Sequence, residues 1–533
     1  MAKRRQIIEI FAPTAGIKSD SPTLIMDPRS QPNGRDSKMY YGCNQKEYGT
    51  SLYATGSGSN LGAPINFIRE PQYPSASVLE IFTHTGVFKY TSGTDSFVSD
   101  GQTFTGTIDD YWNGVMHNDN FIYTNGIDNI QRKASVSATG TDMASAATAT
   151  NTYKSWALMS LNDHLVLYHT IENGSEFFKR VRWTKKGLLT YSANTTDFGS
   201  GTAGAIDIQD VEGEIKTAVA IGNGAAVYAD RSIHSQAFVG GDEVYRFNKE
   251  VSGVGTPSRR GAATWKNVNY FVSNENFHAY FGGDDVRDIG EPVKKLAFSE
   301  INNSALASAY VEVNPIDEEV LFHVPTTTST LPDTAWVYRI NDRSWSRLNR
   351  GYTANGRFTR VTGLTIGELV GDIGNQNFTF GDAFTRAESL TRLYGDQSGR
   401  VVKVDPALYS LSDSGTSASQ TFIYQTPDLT GANKRDPVDG DKVDFTGVTK
   451  RWNQLKFEAV GNGTAIVEVS TNKGSTFNPL PESPVTLINS GTTHVLDIDV
   501  SSPQVRFRIS NTGLNEFIGI KYVSVEFVPG SEN

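Results

Sequence analysis

A disulfide within the chain is excluded first. The 533-residue chain holds one cysteine, Cys43, so a large fold must be held by packing, as expected of folding in a reducing cytoplasm. Charge is also sparse, at 20% of residues, and its balance is acidic, with a formal net charge of −10. That balance repels a nucleic-acid backbone rather than capturing it, although an acidic wall suits a passage that DNA must traverse without sticking. No apolar run approaches the ~18 residues of a membrane span. The opening MAKRRQIIEIFAP is basic, but its apolar patch is broken by Glu9 and ends at Pro13, so a signal-peptide core is not expected. Only eight histidines are present, scattered along the chain.

In place of these, the chain has 50 glycines, much Ser, Thr and Asn, and 11% aromatics. Short half-buried strands joined by many turns need that mixture. The length predicts two or three domains. Ala335 to Arg347, AWVYRINDRSWSR, alternates aromatic and polar residues across a polar turn and reads as a β-hairpin. Looser copies recur at Leu79 to Tyr90, Phe121 to Arg132, His164 to Trp183, Ala225 to Phe238, Asn269 to Phe281 and Leu393 to Val404, while Val320 to Val324 pairs with the first stretch. Asn125-Gly126 is the strongest short hairpin signal among them. Seven such units, spaced unevenly around the ~40–50 residues of a blade, predict an all-β chain with a β-propeller of six to eight blades. Further blades have room between His164 and Ala225 and between Arg347 and Leu393.

The rest divides around this block. Residues 1–60, rich in Gly, Pro, Ser and Asn, read as an extended N-terminal arm, with Lys3, Arg4 and Arg5 a solvated terminus. The propeller is assigned to 61–405. From Glu291, EPVKKLAFSEIN places Pro292 at a helix start, with Val293, Leu296, Ala297 and Ile301 at near-helical spacing. Residues 406–420 read as a linker. Over 418–533 the alternation is cleaner: Leu455, Phe457 and Ala459; Ile466 to Val469; Val495 to Val500; Val505, Phe507 and Ile509 opposite Arg506 and Arg508; and Val523, Val525 and Phe527. That predicts an antiparallel β-sandwich, jelly-roll-like or Ig-like.

Chemistry-bearing patterns are few, and no catalytic, cofactor-binding or metal-binding residue is assigned. Ser470 to Phe477, STNKGSTF, resembles an Asp-box with Asn472 in the Asp position. That motif is a turn whose side chains satisfy local backbone groups. Asp436, Asp439, Asp441 and Asp444 offer oxygen ligands for Ca²⁺, but not at EF-hand spacing, and a solvated turn is the simpler expectation. Gly282 to Asp285 reads likewise as a turn. GNGAAV from Gly222 imitates part of a dinucleotide loop, but strand rather than helix follows it. His164 and His169 are five apart and face opposite sides of a regular strand. Tyr40, Tyr41 and Tyr53 are candidate interface anchors, with ordinary packing the simpler reading.

Four stretches together carry a family resemblance: APTAGIKSDSPTLIMDP with NGRDSKMYYGCNQKEYGT (12–28 and 33–50); FIYTNGIDNIQR; PIDEEVLFHVP followed by AWVYRINDRSWSRL; and FIYQTPDLTGANKRDP, KRWNQLKFEA and VEVSTNKGSTF. In this order they resemble the β-propeller tail hub, nozzle or packaged-DNA stabilisation proteins of short-tailed bacteriophages. The resemblance implies a non-enzymatic virion protein without a cofactor or membrane anchor, assembled in the host cytoplasm and residing in the virion tail. It implies a homohexameric ring below the portal and its head–tail adaptor, meeting the tail needle, fibre or tailspike. Such a ring extends the DNA channel and retains packaged DNA until ejection, without sequence-specific binding. Two other classes compete: a propeller glycoside hydrolase or sialidase-like enzyme, with carboxylates, arginines and a tyrosine converging at the axis, and a receptor-binding adhesin.

Overall fold

The computed structural model describes residues 5–23, 26–40, 42–74, 76–143, 152–191, 194–241, 243–360, 389–431, 434–435, 442–443 and 445–530. Its centre is a ring of seven sheets, antiparallel but for one strand pair, the blades of a β-propeller. Each blade begins with an inner strand: Ile65–Arg69, Asn113–His117, Tyr153–Leu161, Ile215–Ile221, Ala262–Trp265, Tyr310–Asn314 and Tyr352–Arg360. Inner strands of neighbouring blades pack side by side, and Tyr352–Arg360 of blade 7 returns to Ile65–Arg69 of blade 1, closing the circle. Closure of this kind leaves no long sheet edge exposed.

The seven hairpins expected from the sequence correspond to the seven blades. Six are the second and third strands, as in blade 3, where His164–Glu172 pairs with Ser175–Trp183 across Asn173-Gly174. In blade 6, Val320 to Val324 lies in the second strand, and the Trp336 stretch supplies the third and fourth, Thr334–Arg339 and Ser344–Leu348. Asn125-Gly126 turns differently from a two-residue hairpin. The Asn125 Oδ1 accepts the backbone N–H of Ile127 and Asp128 at 3.0 and 2.8 Å, so the side chain holds a wider loop. No extra blade lies after His164: the helix Asn194–Gly199 and the strand Gly204–Asp207 complete blade 3. The helix expected after Pro292 spans Lys294–Glu300, with Ala297 buried beneath it.

Blade 7 takes its fourth strand from far away in sequence. Gly49–Leu52 pairs antiparallel with Val401–Asp405. The expected linker continues this sheet, with Ser410–Ser412 lying parallel to Gly49–Leu52.

The residues expected to form an extended arm instead contribute five strands. Gln6–Phe11 pairs with Ile518–Pro529, Cys43–Lys46 joins the same sheet, and Gly34–Arg35 adds to Phe422–Gln425 in the other. The sandwich therefore has two six-stranded sheets drawn from both ends of the chain. Ile8 and Ile10 reach its core beside Trp452, Phe457, Phe507 and Phe527. Ile8 and Ile10 face inward and Glu9 outward, which is the alternation of a half-buried strand.

The same N-terminal segment binds blade 6. Ile17 is buried in the cluster of Phe277 and Trp345, and its N–H donates to the Trp345 carbonyl at 2.8 Å. Gly16 has φ +73°, and a Cβ there would lie 2.6 Å from the Trp345 nitrogen, so only glycine permits this approach. Arg339 and Arg350 donate to the Met39 and Tyr48 carbonyls. Lys38 reaches Asp317 at 2.7 Å.

Candidate functional site at the propeller axis

The inner strands of six blades enclose an axial cavity of about 500 Å³. Arginines dominate its charge. Arg69, Arg259, Arg260 and Arg357 line it, against one carboxylate residue, Glu70. None of the four arginines has a carboxylate within ion-pair distance among the described residues. Desolvation lowers the pKa of all four, by burial at Arg259, Arg260 and Arg357 and by the walls of the recess at the exposed Arg69. A guanidinium stays protonated even so, and its charge must be answered by dipoles, π faces or an anion.

Arg260, just ahead of the blade 5 inner strand, is answered by the fold. Its Nη1 donates to the carbonyls of Asn66 in blade 1 and Thr353 in blade 7 at 2.9 and 2.8 Å. Its Nη2 donates to the Ser308 carbonyl ahead of blade 6 at 3.3 Å. The guanidinium also lies 4.1 Å from the Tyr111 ring centre and 5.0 Å from that of Tyr310. Arg259 stacks 3.7 Å from the Trp156 ring centre, and His169 stacks on Trp156 at 3.5 Å. The Arg259 contact uses the negative face of the ring. Trp156, Arg259, Lys216, Tyr111 and Asp109 line an adjoining cavity of about 370 Å³.

Arg357 donates to the Val313 carbonyl. Arg69 makes no hydrogen bond to a described residue and remains solvent-accessible. Behind Arg357 the wall carries a buried charged group. Arg392 meets Glu312 at 3.1 Å, and His323 lies 3.3 Å from the other Glu312 oxygen. Burial raises the Glu312 pKa, but Arg392 and His323 outweigh it and hold the group at about 2.

The residues singled out in the sequence lie elsewhere. In Ser470 to Phe477, Asn472 Oδ1 accepts the Thr476 N–H at 2.9 Å, and Ser470 Oγ accepts the Gly474 N–H at 2.9 Å, so the Asp-box-like stretch is a self-satisfied turn. Gly222 turns between two blade 4 strands, and Asp285 pairs with Arg287. His164 is buried against the Thr184 carbonyl at 2.6 Å. His169 sits at a bulge with φ +52° and bonds Glu176 at 2.8 Å. Tyr53 is buried against Tyr90 and is no surface anchor, and Tyr40 packs near Lys38. Tyr41, Asp436, Asp439, Asp441 and Asp444 lie outside the described residues. The axial arginines were not singled out from sequence. Their only local signal is the pair Arg259-Arg260 in PSRRG, because the others are scattered over two blades.

No protein family and no curated protein matches the chain. Among solved structures, it is similar to the extracellular domain of a hybrid two-component system of B. thetaiotaomicron. That match has 9% identity and a TM-score of 0.39, covering 82% of this chain and 47% of that one. It is similar to YCF48 bound to D1 peptide, with 7% identity and a TM-score of 0.35 over 66% of this chain and 99% of the other. A family 29 carbohydrate-binding module matches 20% of this chain and 69% of its own, with 17% identity and a TM-score of 0.14. None of the three is a phage tail protein, and at this distance none informs ligand or partner.

Proposed function

We propose that the protein is a structural component of the tail of a short-tailed bacteriophage, a subunit of a hub or nozzle ring that continues the DNA channel below the portal and adaptor. The observation that carries the reading is the path of the opening stretch, residues 12–50. It runs from the sandwich onto blade 6 and supplies the fourth strand of blade 7. Propeller and sandwich are thereby laced by backbone pairing and by Lys38, Arg339 and Arg350. A ring subunit that holds against packaged DNA needs such rigidity between modules. The described residues of the four stretches that resemble the tail family are scaffold pieces of this body. The acidic net charge of −10 suits a lumen that DNA slides past.

The hydrolase reading gains from the arginines and tyrosines at the axis. It also asks for two carboxylates flanking a scissile bond, and Glu70 is the one carboxylate among the described lining residues of the larger cavity. Electron microscopy and mass measurement of the purified full chain test the proposal. A ring of six with a lumen wide enough for duplex DNA is expected. A stable monomer with glycan-cleaving activity would overturn it.

A further inference from the structure

The four axial arginines differ in how far the fold answers their charge. Arg260 has three carbonyls and two tyrosine faces, and Arg259 has Trp156 and the Asn125 carbonyl at 3.4 Å. Carboxylates of Asp110, Glu176 and Glu214 act on Arg259 from beyond contact distance. Arg357 has one carbonyl and the more distant Glu312, opposed by Arg392. Arg69 has neither a carbonyl nor a charge partner among the described residues, and partial desolvation in the recess, not a partner, sets the direction of its pKa, although its side chain reaches solvent.

Arg69 and Arg357 belong to adjacent inner strands. A Cβ on Gly356 would come within 2.3 Å of the Ile68 side chain, so the backbones of blades 7 and 1 are in close contact one residue before each arginine. Both open on the same cavity of about 500 Å³, a volume within the ~300–1,000 Å³ range of small-molecule sites. Arg69 is exposed and Arg357 half-buried with one carbonyl partner, so both guanidinium groups keep N–H donors free to meet an anion in the recess. Their planar forks match tetrahedral oxyanions in paired N–H···O contacts.

We propose that the axial cavity is a binding site for a small oxyanion of the phosphate class, held between Arg69 and Arg357. Arg259 and Arg260 add positive potential while remaining bonded to the fold. The site is independent of the tail assignment, since it uses the interior of one propeller and not the lumen of a ring. The ligand is free phosphate or the phosphate head of a small organic molecule.

The test uses the full chain. Thermal unfolding and titration calorimetry are run with inorganic phosphate, glucose 6-phosphate, glucose, chloride and acetate at matched ionic strength. Phosphate is expected to bind once per chain with a saturable rise in Tm, and the R69Q/R357Q variant is expected to lose at least tenfold in affinity. A glucose 6-phosphate response stronger than that of phosphate identifies an organic phosphate as the ligand; an equal response identifies the free ion. Equal shifts with chloride or acetate, or no stoichiometric binding to the unsubstituted protein, would overturn the proposal. The calorimetric result decides the matter even if the double variant fails to fold.

Discussion

Lys133 Nζ lies 3.2 Å from the Asp100 carboxylate, sealed between blades 1 and 2 with side-chain exposures of 0% and 1%. The same ammonium group contacts Glu80, which is equally buried. Burial raises the Glu80 pKa and Lys133 opposes the shift. Removing the lysine takes Glu80's contacting cation away and leaves Asp100 with Lys89 alone, at 2.7 Å. The K133M substitution is expected to destabilise the protein by about 3–5 kcal/mol, read from urea unfolding midpoints. A loss below about 1 kcal/mol would show that water reaches the seam.

Glu319 in blade 6 predicts a pH dependence. Burial raises its pKa from 4.5 to about 7, against the pull of Lys38 at 3.9 Å. A carboxyl group with a raised folded pKa contributes stability below pH 4.5 that is lost as pH rises toward 7. Its share is at most about 3 kcal/mol. E319Q is expected to flatten the stability profile across that window, measured by urea titrations at stepped pH. An unchanged slope would refute the assignment.

Glu312 has the opposite sign. Held at about 2 against a usual 4.5, it contributes stability above pH 4.5 that is lost as pH falls toward 2. E312Q is therefore expected to be less stable than the unsubstituted protein at pH 7, with the difference shrinking through that acid window. A gap that stays constant down to pH 2 would mean that Arg392 is compensated by something else.

Arg260 joins carbonyls of three chain segments through one planar group. A lysine ammonium is a compact point donor and cannot reproduce that span. R260K is expected to cost about 2 kcal/mol or more, since buried carbonyls lose their donors. Hydrogen exchange should rise at the inner strands of blades 1 and 7. Stability equal to the unsubstituted protein would show that the bonds are replaceable.

The strand Gly49–Leu52 closes blade 7. A chain lacking residues 1–52 exposes the hydrogen-bonding edge of Val401–Asp405 and strips four strands from the sandwich. It is expected to aggregate or associate through that edge, visible in light scattering. A monodisperse, cooperatively folding product would refute the closure.

The legible parts of the fold share one property. In each blade except blade 6, the second and third strands are the hairpin recognised from alternation, joined by a short turn everywhere but in blade 2, where the wider Asn125 loop joins them. Inner strands were harder to read because they pack against neighbouring blades as well as within their own sheet. Ile65, Asn66 and Ile68 are all buried in one such strand, which masks any period of two. In the sandwich, Leu455, Phe457 and Ala459 face the core in strict alternation, and that pattern survives to the structure.

Local sequence determined the turns, the hairpins and the split into propeller and sandwich, because turn chemistry and a two-residue period act between neighbours in the chain. Tertiary structure alone decided the seven-blade count, the use of Gly49–Leu52 to complete a blade some 350 residues later, and the entry of Gln6–Phe11 into a C-terminal sheet. It also decided that Arg69, Arg259, Arg260 and Arg357 share one cavity. These are pairings between distant segments. Their free energy comes from shared burial and backbone hydrogen bonds, and neither leaves a mark on the residues that flank them in sequence.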